Sequence, residues 1–196
     1  MIAAAIGFRV HSGWAALVAV AGSPTTPEVL LRRRIEMVDR AMRGVGQPYH
    51  AAAGMKLDEA GKFLTRCLAD ARKRARREIE RVVSEDHRVA ACGMMLSSGR
   101  AAGTLEATLA SHAAIHTAEG EHFRNAIRGA CEDLGLLLHE VKEKESLSRA
   151  TEKFGLPADR IVQILATIGK RVGPPWTQDE KFAAVSGWLA LNAIGL

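Results

Sequence analysis

The order in which the hydrophobic period changes along the chain is the strongest constraint on its fold. Ile2 to Val10, Trp14 to Ala21 and Val29 to Met37 read as three consecutive strands. The first two are joined by a tight turn at His11, Ser12 and Gly13, and the third follows the loop SPTTPE. The third run, VLLRRRIEMV, is the most polar and suits a sheet edge, where charge discourages pairing with other chains. From Pro48 to Val83 the period becomes helical. Leu57, Leu64, Leu68, Ala71, Ala75, Ile79 and Val82 form one apolar stripe, with Gly54 and Gly61 as breakers of its first part.

Strand and helix then alternate. HRVAACGMML reads as a short buried strand and GRAAG as a loop. Thr104 is an N-cap for the helix LEATLASHAAIH, and a further helix runs through FRNAIRGACEDLG to a C-cap at Gly135. LLLHEV is the fifth strand. From Ser146 the chain is helical in segments, LSRATEKFG, PADRIVQILATIG and, after a GPPW turn, DEKFAAVSGWLALNAI. Three strands followed by alternation predict one α/β domain over residues 1–196. It is a five-stranded mixed sheet, three antiparallel strands first, with helices on its faces.

Composition narrows the function classes. The 27 Lys and Arg against 22 Asp and Glu give a formal net charge of +5, which admits an anionic partner without specifying one. The 3 cysteines form no CxxC pair, so neither a disulfide framework nor a cysteine-rich zinc site is expected. The apolar N-terminus is interrupted by Arg9, His11 and Ser12 and lacks the basic start of a signal segment. The expectation is a cytoplasmic protein with no membrane span; nothing fixes its oligomeric state.

The strand order, together with IGFRVHSGWAALVAV, IRGACEDLGLLLHEV, VKEKESLSRATEKFGLPADRIVQIL and FAAVSGWLALNAI, resembles the ribonuclease-H-like superfamily, most of all its Holliday-junction resolvase branch. The resemblance implies acids holding two divalent metals, one to activate water and one to stabilise the leaving oxygen. Carried over by position, the first-strand acid falls on Arg9, the fourth-strand acid near Cys92 or Gly93, and the closing-helix acid near Ser186. None of these is acidic, and a cation at Arg9 stands where a metal is expected. The implied reading is a ribonuclease-H-like binding or assembly module without the standard catalytic acids, its partner nucleic acid or another protein.

Three constellations leave other activities open. In SHAAIHTAEGEH, His112, His116 and Glu119 share a helical face, so they are candidates for a catalytic or divalent-metal site with Arg9 or His11. Against this, Leu105, Leu109 and Phe123 lie on or beside that face, which fits satisfied polar groups at a core edge. If the cluster faces the first strand, Arg9 is placed to pair with Glu119. In ARKRARREIER, Arg72 and Arg76, and Lys73 and Arg77, offer a positive surface for phosphates. Asp70, Glu78 and Glu80 are interleaved with them, and no aromatic residue alternates with the cations to stack bases. LSSGRAAGT, between a strand and a helix, is a candidate phosphate or nucleotide cradle, although it lacks the GxxxxGK[ST] pattern.

Overall fold

The computed structural model describes residues 3–84, 88–97 and 103–194. Five strands form one sheet: β1 (Ala3–His11), β2 (Trp14–Gly22), β3 (Pro27–Glu36), β4 (Arg88–Leu96) and β5 (Leu138–Lys142), in the order β3-β2-β1-β4-β5. β1 to β3 pair antiparallel through the Ser12–Gly13 turn and the SPTTPE loop, whereas β4 and β5 run parallel to β1. β1 is central, and the arginine-bearing β3 is an edge, as its polar sequence predicts.

Alternation along β1 divides the molecule. Ile6, Phe8 and Val10 point to one face and pack on Ala71, Ala75 and Ile79 of α2 (Leu57–Val83) and on Phe123 and Ile127 of α4 (His112–Asp133). On the opposite face Ala16, Val18 and Val20 meet α5 (Ser146–Phe154), α6 (Ala158–Val172) and α7 (Gln178–Ala193) through Phe154, Ile161, Ala184 and Trp188. The result is three layers, helix on sheet on helix.

α7 seats against the sheet unusually closely because both surfaces are small. Gly7 pairs with Gly93 across β1 and β4, and a Cβ at either would lie 1.8 Å from the Ala183 carbonyl oxygen or 2.0 Å from that of Ser186, respectively. The start of α7 is fixed by a capping box. Thr177 accepts from the Asp179 N–H, and Glu180 accepts from the Thr177 N–H at 2.7 Å. Arg32, on edge strand β3, donates to the carbonyls of Val172, Gly173, Pro174 and Pro175 and so ties down the turn that enters α7.

Two helical boundaries differ from the sequence reading. The stretch from Pro48 to Val83 is two helices, α1 (Pro48–Ala52) and α2, broken over residues 53–56 at the expected Gly54 but running unbroken through Gly61. The break before α4 falls at Ser111, which caps that helix by accepting from the Ala114 N–H, so LEATLASHAAIH splits between α3 (Leu105–Leu109) and α4. FRNAIRGACEDLG continues α4 rather than forming a helix of its own. The apolar face of α4 runs unbroken through Ile115, Phe123, Ile127 and Ala130, and that burial outweighs the glycines and polar residues between them.

Candidate functional site

Arg9 lies near the carboxyl end of β1, on the face that carries Gly7 and α7. Its Nη2 is 2.6 Å from Glu143, in the single 3₁₀ turn after β5, and its Nε is 3.9 Å from Asp179 in the first turn of α7. The guanidinium also sits over the Phe182 ring at 5.5 Å. Asp179 Oδ1 bonds His11 Nε2 at 2.8 Å, the His11 ring stacks on Trp14 at 4.3 Å, and Arg34 covers Trp14 at 3.6 Å. This is a linked set of cations, carboxylates and rings from β1, β2, β3, the turn after β5, and α7.

The pairing expected between Arg9 and Glu119 is not present. Glu119 belongs to α4, on the opposite face of the sheet, and the period-2 alternation of β1 directs Arg9 away from it. Sequence reasoning missed Glu143 and Asp179. The signal for Asp179 was available in Thr177-x-x-Glu180, which fixes the start of α7 and puts Asp179 in its first turn. Nothing in the spacing pairs Glu143 with Arg9.

The other two places to which the resemblance assigns acids are filled by packing. Ser186 is buried, and its hydroxyl donates to the Ala183 carbonyl at 2.9 Å and the Gly93 carbonyl at 3.3 Å. Cys92 is a buried free thiol whose pKa is pushed up by its hydrogen bond to Cys131 and by burial.

The histidines form a second cluster. His112 and His116, on the first turns of α4, bring their Nε2 atoms to 3.0 Å. His50 of α1, which the sequence did not mark, stands beside both, its ring centroid 5.6 Å and 4.8 Å from theirs. Glu119 does not present its carboxylate alongside them as an equal partner. It is buried behind His50, where Oε1 accepts from the N–H groups of Tyr49 (2.9 Å) and His50 (3.0 Å) and from His50 Nδ1 (3.1 Å). Burial raises the Glu119 pKa, opposed by those bonds from His50 and Tyr49.

The basic face of α2 is partly neutralised. Arg72 forms a two-pronged pair with Asp133, at 2.8 and 2.7 Å, and Arg76 bonds Glu80 at 2.8 Å. Lys73 and Arg77 are exposed; Arg77 lines a shallow cleft with Arg34 and Arg74. A larger groove of about 460 Å³ opens beside α4 and the end of β4, walled by His122, Arg124, Arg128 and Lys142. His122 is 4% exposed and its Nε2 has no hydrogen-bond partner, and burial lowers its pKa to about 4. Of the phosphate-cradle segment, residues 98–102 lie outside the described residues. Thr104 caps α3 as its sequence suggests, accepting from the Ala107 N–H. Among the described residues no helix is long and apolar enough to cross a membrane.

No protein-family model matches the chain, and no curated protein matches it in sequence. Solved structures match it in shape. The structure of Thermus thermophilus RuvC in complex with a Holliday junction substrate superposes at a TM-score of 0.56 with 9% identity, over 98% of this chain and 96% of that one. A second Thermus thermophilus RuvC structure gives 0.55 with 10% identity, over 95% and 92%. The likeness spans both chains almost completely, and the fold is therefore that of the RuvC-type, ribonuclease-H-like proteins.

Proposed function

We propose that the chain is a RuvC-like binding module that holds nucleic acid through its phosphates and does not cut it with a pair of divalent metals. The observation that carries this reading is Arg9, paired with Glu143 at 2.6 Å and beside Asp179 at 3.9 Å. A two-metal site needs several carboxylates free to share hard cations. Here Glu143 and Asp179, beside the carboxyl end of β1, face the Arg9 guanidinium, Gly93 has no room for a side chain, and Ser186 is buried with its hydroxyl bonded to backbone carbonyls. The residues do not fit the metal pair that the fold family implies.

Nucleic acid is the partner favoured by three features. One structural neighbour is in complex with a Holliday junction. The net charge is +5. Lys73 and Arg77 stand exposed on α2, with the paired Arg72 and Arg76 beside them as further positive charge. Such binding is electrostatic and independent of base sequence, since no aromatic platform accompanies the cations. The free thiols Cys67, Cys92 and Cys131 suit the cytoplasm.

Fluorescence anisotropy with a labelled four-way junction and a duplex, across a salt series, tests this. Binding should weaken linearly in log–log form, with a slope of roughly 0.9 per phosphate neutralised. Replacing Arg72, Lys73, Arg76 and Arg77 together by glutamine should flatten that slope by about 2 to 4. Binding that is indifferent to salt and to the fourfold change would overturn the reading.

A further inference from the structure

We propose that His50, His112 and His116 bind a single transition-metal ion of the zinc class, with Glu119 holding His50 in place from behind. One ligand nitrogen from each of the three histidines lies within 4.8 Å of the others, and the Nε2 atoms of His112 and His116 are 3.0 Å apart. Zinc–nitrogen bonds of about 2.0–2.1 Å at tetrahedral angles place ligand nitrogens roughly 3.3 Å apart. The observed spread brackets that value, so side-chain rotations of an ångström or so complete the site without moving a helix.

The two halves of the site come from different segments. His112 and His116 are four residues apart on α4 and therefore project from one face of it. His50 is brought to them by α1, which Ala52 packs onto Ala60 and Leu64 and which Glu119 ties to α4. Glu119 Oε1 receives three N–H bonds, two from the backbone of α1 and one from His50 Nδ1. With Nδ1–H given to the carboxylate, the lone pair of His50 is on Nε2. A carboxylate behind an imidazole fixes the ring and raises its basicity, an arrangement common behind metal-bound histidines. The second oxygen, Oε2, is buried without a hydrogen-bond partner, and a metal ion held beside His50 would offset part of that buried charge.

The ligand chemistry selects the ion. An all-imidazole set suits zinc, copper, nickel or cobalt and is poorly matched to magnesium or calcium, which take oxygen ligands. His112 and His116 are exposed and His50 is half-buried, so the fourth tetrahedral position is open to water. The ion would also clip α1 onto α4. The site is on the opposite sheet face from Arg9 and is independent of how Arg9 is read.

The test uses protein purified without a histidine tag and stripped with a chelator. Zinc is titrated by equilibrium dialysis with elemental analysis, and cobalt(II) by absorption, because tetrahedral cobalt gives intense visible bands. One equivalent of zinc per chain, micromolar or tighter, and a tetrahedral cobalt spectrum are expected. His50→Gln and His116→Gln should abolish the cobalt bands, and Glu119→Gln should weaken zinc binding by about 10–100-fold while leaving the bands in place. His139→Gln, outside the cluster, should change neither reading. Circular dichroism identifies any variant that fails to fold. His116 is exposed, so its variant retains the packing of α4. Wild-type protein that takes up no zinc and gives only octahedral cobalt spectra, or a folded His116→Gln that binds as wild type does, would overturn the proposal.

Discussion

Gly7→Ala should be among the most damaging single substitutions in this chain, and its cost can be reasoned from one distance. A Cβ at Gly7 would sit 1.8 Å from the Ala183 carbonyl oxygen and 2.5 Å from the Gly187 amide nitrogen, whereas ordinary van der Waals contact begins at 3.4 Å. Relief therefore requires β1 and α7 to separate by 1.6 Å, the difference between 3.4 and 1.8 Å. Both clashing groups are backbone, so no rotamer change absorbs the overlap. Overpacking of a core typically costs about 1–3 kcal/mol when side chains can yield, and about 3 kcal/mol or more is expected here. The same shift would carry Asp179 away from Arg9 and His11. Urea unfolding is the assay, read as a lower midpoint with an unchanged slope. Gly54→Ala, with nothing within 4 Å of the added carbon, is the control and should stay within about 0.5 kcal/mol. A Gly7→Ala protein within about 1 kcal/mol of wild type would refute the close seating of α7.

Further expectations concern single groups. Arg9→Ala leaves Glu143 and Asp179 without their guanidinium. The pair is partly solvated, so a loss of about 1 kcal/mol is expected, smaller in high salt, by chemical denaturation. Thr177→Ala breaks the capping box of α7 and should cost about 1 kcal/mol by the same assay. His122 has a folded pKa of about 4, below the usual histidine value of about 6.5, so the unfolded chain binds the extra proton first. Its contribution is complete above about pH 6.5 and is lost as the pH falls towards 4, to a total of roughly 3 kcal/mol. Glu119, its pKa raised by burial, acts in the opposite sense. The difference between wild type and His122→Phe across a pH series isolates the histidine: the variant should lack that portion of the acid sensitivity.

The sheet was legible in the sequence because its signals are local. β1 and β2 carry dense apolar runs around a tight turn, and the arginines of VLLRRRIEMV identify β3 as an edge. Helix ends were legible where a side chain caps them, as at Thr104. They were misread at Ser111, whose capping role is hidden inside a continuous helical period. The sites were less legible because each depends on residues distant in sequence. Arg9 meets Asp179 only after α7 crosses the sheet, and His50 meets His116 where Glu119 and apolar packing hold α1 beside α4. Spacing within α4 did reveal the pair His112 and His116. It could not show that Glu119, three residues further on, turns inward to a third histidine instead of standing beside them.

The central proposal is that an ion pair at Arg9 stands where the family resemblance implies a metal pair. Incubating the protein with a labelled four-way junction and millimolar magnesium or manganese, and resolving the strands on a denaturing gel, tests it directly. The prediction is a salt-sensitive complex in which every strand stays intact. Strand cleavage that depends on the added metal and disappears in Glu143→Gln or Asp179→Asn would contradict it, because those carboxylates would then be serving a metal and not the guanidinium.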